Sequence, residues 1–111
     1  SIHSNGFTKE SANGYSIYTS RGETKSDKIA EVFIDNMKIH FPERKLRTDR
    51  RDGDQDKEAN FYVLKHTTCS AILIENFFMT NYFECQLLLT PEFQDKIALC
   101  HSESITQISF S

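Results

Sequence analysis

The sequence is poor in the residues and patterns that mark several large classes of protein. It has no tryptophan, four glycines and two prolines in 111 residues, which excludes glycine-rich repeats and proline-rich linkers. No apolar run approaches the roughly 20 residues that a membrane-spanning helix needs. A content of 38% hydrophobic and 26% charged residues, with nine phenylalanines, instead indicates one globular domain, or part of one, with a real core.

The chain also lacks an excess of positive charge. Its formal net charge is -3, whereas a nucleic-acid-binding domain normally presents a basic face. The densest basic stretch, residues 44–51, is followed at once by three aspartates that offset it. We therefore expect no nucleic-acid partner.

Cysteine is scarce as well. The three cysteines, Cys69, Cys85 and Cys100, are odd in number and widely spaced, so neither a zinc knuckle nor a disulfide framework is indicated. Cys69 and Cys100 stand in apolar company, and both are predicted to be small buried hydrophobic side chains.

The sequence does contain an alternation of strand and helix patterns. Residues 14–19 alternate apolar and polar, and residues 70–74 are almost wholly apolar, which predicts a half-buried strand and a fully buried one. Helical spacing predicts one helix from about Thr24 to Phe41 and another that begins at Thr90-Pro91. The alternation favours an α/β fold, with a mostly parallel sheet flanked by helices.

The remaining segments give weaker patterns. Residues 49–57 form a charged loop, and Asp56 could cap a helix over about 57–65. A loop is expected over 76–82, followed by a short helix over 83–89. Three aromatic residues in that loop are predicted to be exposed: Phe77, Phe78 and Tyr82.

Two residues stand where functional groups gather in such folds, at the carboxyl ends of strands. His3 follows an apolar residue and precedes a polar turn, and its imidazole could bind zinc. Glu75 closes the apolar run and could move a proton during hydrolysis. Each also has a structural interpretation, as a strand cap or a solvent-facing charge, and taken alone each residue favours that interpretation. The other histidines, His40, His66 and His101, are predicted to lie on the surface or on helix sides.

Several segments, in this order, resemble the zinc-dependent N-acetylmuramoyl-L-alanine amidases, which are bacterial and phage enzymes of the cell wall. The family has a Ser-x-His-x-Asn zinc motif, a Val-Leu-basic helix segment, a catalytic glutamate strand with its loop, and a closing helix. The corresponding segments here are Ser1-Ile2-His3-Ser4-Asn5, residues 60–65, residues 71–81 and residues 93–108. The likeness covers essentially the whole chain.

The resemblance implies a function and roles for particular residues. His3 would be the last of three protein zinc ligands, and Glu75 the general base and acid. The reaction would be hydrolysis of the amide between N-acetylmuramic acid and the L-alanine of the stem peptide, with zinc as cofactor and peptidoglycan as substrate. Phe77, Phe78 and Asn81 would shape the edge of the site. The place of action would be the periplasm or the extracellular cell wall.

The family's first two zinc ligands precede the histidine motif, at which this chain begins. We therefore expect residues 1–111 to be the C-terminal portion of an amidase catalytic domain, with a sheet that is incomplete at its N-terminal side. An uncovered sheet edge would favour self-association. Two alternatives stay open: a catalytically inactive amidase-like module that binds wall glycan or a partner, and another zinc hydrolase, such as a carboxypeptidase.

Overall fold

The structure is a computed structural model in which residues 1–20, 24–48, 57–58 and 61–110 are described, with 57–58 described by their backbone alone. The charged loop predicted over 49–57 falls almost wholly outside these residues, as does Asp56, the predicted cap of the next helix. Among the described residues, no helix is both long enough and apolar enough to cross a membrane.

The α/β fold predicted from the sequence is confirmed. The strands are β1 (Ile2–Asn5), β2 (Ser16–Thr19), β3 (Lys57–Glu58) and β4 (Leu73–Phe78). The helices are α1 (Lys25–His40), α2 (Tyr62–His66), α3 (Tyr82–Leu88) and α4 (Pro91–Ser109).

The sheet is small and mixed, with the strand order β1-β4-β2-β3. β1 runs parallel to β4, and β2 runs parallel to β3, whereas β2 and β4 are antiparallel. Two of these three pairings are thus parallel. The antiparallel pairing of β2 with β4 places β4 between β1 and β2, at the centre of the site described below.

The two long helices begin and end where their capping residues stand. The backbone N–H of Thr24 donates to the Asp27 carboxylate at 2.9 Å, and α1 stops before Pro42. At α4, the Thr90 hydroxyl accepts from the N–H of Phe93 at 3.4 Å, and Pro91 occupies the first turn. Such caps satisfy backbone donors that have no partner inside the helix.

Both long helices pack against the same face of the sheet. Ile17 and Ile74 are paired in register and pack against Ala30, Phe33 and Ile34 of α1. A second buried cluster joins both helices to β4 and comprises Tyr15, Met37, Phe41, Phe77 and Cys100. Because side chains alternate along a strand, the neighbours of Ile74 and Ile17 on the opposite face include Glu75 and Ser16.

A bulge interrupts β4 directly after Glu75. His3 pairs with Glu75 and Asn5 with Phe78, so Asn76 and Phe77 both stand opposite the single residue between His3 and Asn5. Phe77 has a φ of 66°, a left-handed conformation that is uncommon for a bulky residue. The bulge turns its ring into the core, where it packs edge-on against other aromatic rings.

Four local predictions were wrong. Residues 57–65 are not one helix, since β3 occupies Lys57–Glu58 and α2 begins only at Tyr62. Phe77 and Phe78 are buried, because β4 continues to Phe78 and the bulge turns Phe77 inward; Tyr82 is exposed as expected. Cys69 is exposed, since it lies in the irregular segment before β4, whereas Cys100 is buried in the core.

Gly14 sits where the backbone makes its closest approach to a neighbouring segment. Its φ is +106°, and a Cβ there would lie 2.3 Å from the Lys45 carbonyl oxygen. Gly14→Ala is therefore expected to lower the free energy of unfolding by about 2 kcal/mol, through strain and the clash with backbone. At Gly6, a Cβ would meet only the Thr80 methyl group, at 3.6 Å. Gly6→Ala is the control in urea denaturation, and equal losses for the two variants would contradict the prediction.

Candidate active site

His3 and Glu75 are direct neighbours across the pairing of β1 with β4. Their Cα atoms are partners in the parallel register, so both side chains leave the sheet on the same face. The sequence predicted that the two residues stand at strand ends. The structure instead places Glu75 within β4, three residues before its end, and brings it beside His3.

The His3 side chain is exposed and has a polar neighbour. Its Nε2 lies 2.6 Å from the Ser1 hydroxyl. An accessible imidazole can serve as a metal ligand or as a proton carrier. His3 also interacts electrostatically with the Glu75 carboxylate, consistent with the pairing of their strands.

The Glu75 carboxylate is half-buried and incompletely paired. Its Oε2 atom is inaccessible and has no hydrogen-bond partner within the described structure. Burial raises the pKa of this carboxyl, and the nearby His3 opposes that rise. A carboxylate with a raised pKa and an unused lone pair is suited to accept a proton and to return it.

Ser16 completes the polar face, and the sequence gave no reason to single it out. It is the antiparallel partner of Glu75 on β2, and it is buried. Its hydroxyl oxygen likewise has no hydrogen-bond partner among the described residues. Buried polar groups in folded proteins are nearly always paired, so two unpaired atoms on neighbouring strands indicate a polar site. The signal that could have found Ser16 is the alternation of β2, once its register with β4 is known.

A catalytic zinc ion would need more ligands than the described residues supply. A catalytic zinc ion takes three protein ligands and keeps one position open. No group of three or more histidine, cysteine, aspartate or glutamate side chains with suitable geometry exists among the residues that the structure describes. His3 offers one ligand, and the unpaired Glu75 oxygen offers a base beside it. These residues therefore do not form a complete zinc site by themselves.

A buried polar chain connects β1 and β4 to α4 on the other face of the sheet. The Asn76 side-chain amide donates to the His3 carbonyl oxygen at 3.2 Å, and its oxygen lies 2.7 Å from Nε2 of His101. His101 was predicted to lie on the surface or on a helix side; it does lie on α4, but it is buried, because the second half of this helix packs His101 and Ser104 inward beside Cys100. Asn76 thereby fixes the backbone of His3 and links it to α4.

Burial of His101 makes the stability of the protein depend on pH. Desolvation lowers the pKa of this histidine from 6.5 to about 4. Between these values the unfolded chain binds a proton that the folded chain does not, so the free energy of unfolding falls as the pH drops from 6.5 to 4. The expected loss is about 2 to 3 kcal/mol. Urea denaturation at several pH values measures it, and His101→Gln should flatten the profile; an unchanged slope in that variant would contradict the assignment.

The loop after β4 holds the loop after β1. The Thr80 hydroxyl accepts from the N–H of Phe7 at 3.1 Å, and the Asn81 amide donates to the Glu10 carbonyl at 3.2 Å. The Asn81 oxygen also accepts from the N–H of Glu84, which caps α3. Asn81 was expected to shape the edge of the site, and in the structure it joins two loops at the carboxyl ends of β1 and β4.

Glu84 is a buried carboxylate that the sequence did not single out. Its side chain accepts hydrogen bonds from the backbone N–H groups of Gly14 and Phe78, each at 3.0 Å, and Arg44 lies 3.3 Å away. The residue is fully buried. Glu84 thus fixes both the end of the loop that follows β1 and the bulged end of β4.

This architecture defines a mixed α/β domain of the kind found in solved amidase catalytic domains. Against the N-acetylmuramoyl-L-alanine amidase AmiC2 of Nostoc punctiforme the TM-score is 0.85, with 23% identity over 99% of this chain and 56% of that one. Against the CwlD amidase of Clostridioides difficile, solved in complex with the GerS lipoprotein, the TM-score is 0.83, with 23% identity over 99% and 53%. The N-acetylmuramoyl-L-alanine amidase from Clostridium difficile 630 gives 0.84, with 24% identity over 99% and 56%.

The family follows from a separate comparison of the sequence. The family model for N-acetylmuramoyl-L-alanine amidase matches residues 1–107, so the chain belongs to this family. Zinc dependence is typical of the family. Comparison with curated protein sequences gave no match. The chain spans about half the length of the solved amidases it resembles.

Proposed function

We propose that this chain takes part in peptidoglycan hydrolysis as an N-acetylmuramoyl-L-alanine amidase. The reaction is cleavage of the amide that joins N-acetylmuramic acid to the L-alanine of the stem peptide. The observation that carries the proposal is the register of His3 with Glu75, with an unpaired carboxylate oxygen beside an accessible imidazole. Membership in the amidase family supplies the substrate class.

The roles of the two residues follow from their chemistry. Glu75 removes a proton from the attacking water and passes it to the nitrogen of the leaving amine. Its raised pKa suits the second of these steps, because the protonated carboxyl must persist until the amide bond breaks. His3 is one ligand of a zinc ion whose other ligands lie outside the described residues. When bound, zinc polarises the amide carbonyl and makes water a stronger nucleophile.

The substrate also determines where the protein acts. Peptidoglycan lies outside the cytoplasmic membrane, so we place the activity in the periplasm or the extracellular cell wall.

The self-association expected from the sequence stays a prediction. Light scattering tests it, and a monodisperse monomer would contradict it.

Product analysis tests the proposed reaction. The zinc-loaded protein at its full natural length should release an intact stem peptide with a new amino group on L-alanine from a purified muropeptide. Release of a single terminal amino acid would instead indicate a carboxypeptidase. Binding to peptidoglycan without any new amino group would indicate a non-catalytic wall-binding module.

Zinc retention tests the role of His3 apart from activity. His3→Ala in the protein at its full natural length should weaken zinc binding more than about 100-fold, because loss of even an outer-shell partner costs 10- to 100-fold. Metal analysis after dialysis against a weak chelator measures the retained zinc. His66→Ala is the matched control, since His66 is exposed and its ring stacks on Tyr62 of the same helix. Equal zinc content in the two variants would remove His3 from the ligand set.

A further inference from the structure

A small cationic pocket lies near the carboxyl ends of β1 and β4. It has a volume of about 230 Å³, and its lining includes the cationic side chains of Lys9, Lys45 and Arg47. Phe7 and residues 11–13 complete the lining. No acidic side chain among the described residues lines this pocket, although the chain as a whole carries a net charge of -3. The pocket is thus a local positive site on an acidic protein.

The loop that forms one wall of the cationic pocket is fixed in place. Its first part is bound to Thr80 and Asn81, as described above. Its last part is held by backbone and side-chain bonds: the N–H of Ala12 donates to the Lys9 carbonyl at 3.1 Å, and the Asn13 amide donates to the Ser11 carbonyl at 3.0 Å. A site held in this way loses little conformational entropy when a ligand binds.

Arg47 is the best-placed donor in the cationic pocket. Its backbone N–H pairs with the Tyr15 carbonyl at 2.8 Å, and its guanidinium lies 5.0 Å from the centre of the Phe78 ring. One terminal nitrogen donates to the Asn13 carbonyl at 3.3 Å, while its Nε is buried without a partner. A guanidinium held against an aromatic ring keeps its terminal N–H donors in a fixed plane, which suits a carboxylate.

The distance from the cationic pocket to Glu75 fits a peptide ligand. Arg47 stacks on Phe78, which stands three residues beyond Glu75 on β4. Three residues span at most roughly 10 Å, and the bulge at Phe77 makes this separation shorter. An extended peptide covers the same distance in about three residues. A carboxylate two or three residues from the cleaved amide would therefore reach this pocket.

We infer that the cationic pocket binds a free carboxylate of the stem peptide and so orients the peptide side of the substrate. This inference rests on the proposed function, since it takes the stem peptide as the ligand. The three cations supply the attraction, and the terminal nitrogens of Arg47 supply hydrogen-bond donors. The site would distinguish stem peptides with free carboxylates from those in which the carboxylates are converted to carboxamides.

Direct binding tests the inference without any catalytic step. The probes are a synthetic stem tripeptide that begins with L-alanine and has free carboxylates, and the same tripeptide with each carboxylate converted to a carboxamide. Neither contains the cleaved amide, so zinc and Glu75 are not needed for the measurement. Calorimetry or an NMR titration of the zinc-free protein should show that the carboxylate form binds about tenfold more tightly. Backbone amide signals of Lys9, Asn13 and Arg47 should shift.

Charge-matched variants identify the residues responsible. Arg47→Gln should weaken binding of the carboxylate tripeptide about tenfold, whereas Lys65→Gln, on exposed α2 surface, should leave it unchanged. Because Arg47 also packs on Phe78, Lys9→Gln serves as a second variant that alters only an exposed side chain. Its loss of affinity should be smaller and should shrink as salt is added.

Three results would overturn the inference. They are equal binding of the two tripeptides, wild-type affinity in both pocket variants, and inorganic phosphate binding as tightly as the carboxylate tripeptide. None of these results bears on the amide chemistry, which is judged separately from products and from Glu75. The pocket and the proposed reaction can therefore fail independently.

Discussion

Glu75→Gln is expected to lower kcat/KM for muropeptide hydrolysis by about 1,000-fold, within the usual range for loss of a general base. Glutamine has nearly the same shape as glutamate, but its amide cannot accept a proton at neutral pH. The loss should fall on kcat, because the substrate contacts remain, and zinc content should not change. Activity on a purified muropeptide, measured with the protein at its full natural length, checks this expectation.

The stability of the same variant separates catalysis from folding. The Glu75 carboxylate is partly desolvated and has an unpaired oxygen, so removal of its charge should leave the melting temperature unchanged or raise it. Active-site groups commonly reduce stability in this way. Glu92→Gln, on the exposed first turn of α4, is the control and should retain full activity. If Glu75→Gln hydrolyses muropeptides at the wild-type rate, Glu75 is not the base.

Glu84→Ala is expected to produce the largest loss of stability, about 3 to 5 kcal/mol. The substitution removes a fully buried carboxylate and leaves Arg44 and the N–H groups of Gly14 and Phe78 without their acceptor. Urea denaturation followed by circular dichroism measures the loss. Glu84→Gln should lose less, because its amide oxygen can still accept a hydrogen bond.

A surface pair provides the comparison for Glu84. His40 and Glu103 approach to 2.7 Å, but Glu103 is about half exposed. Glu103→Ala should cost less than about 1 kcal/mol, as exposed ion pairs do. Similar losses for Glu84→Ala and Glu103→Ala would show that the buried carboxylate does not hold the two loops together.

The long helices could be predicted because their determinants are local. Thr24, Pro42, Thr90 and Pro91 mark where helices begin or end, and apolar spacing gives the buried side of α1. α4 departs from simple hydrophobic periodicity, since Ile105 is exposed while His101 is buried. In α4, tertiary packing through Asn76 outweighs hydrophobic periodicity.

The site was only partly predictable, for a related reason. His3 and Glu75 were found from their motifs, but their adjacency depends on the register of β1 with β4, which no local pattern encodes. Ser16 and Asn76 could be recognised only after that register and the bulge were known. The bulge itself was missed because a phenylalanine, Phe77, adopts a backbone conformation that sequence rules assign to glycine.

The pairing of β1 with β4 also has a consequence for how the protein folds. The Asn76 amide and the His3 carbonyl that it contacts are 73 residues apart in the sequence, and contacts of such long range are slow to form. On a ribosome, His3 would emerge long before Glu75, and the two could meet only after most of the chain had been synthesised. The proposed catalytic pair would therefore be among the last features to assemble, and a nascent or partly folded chain is expected to be inactive.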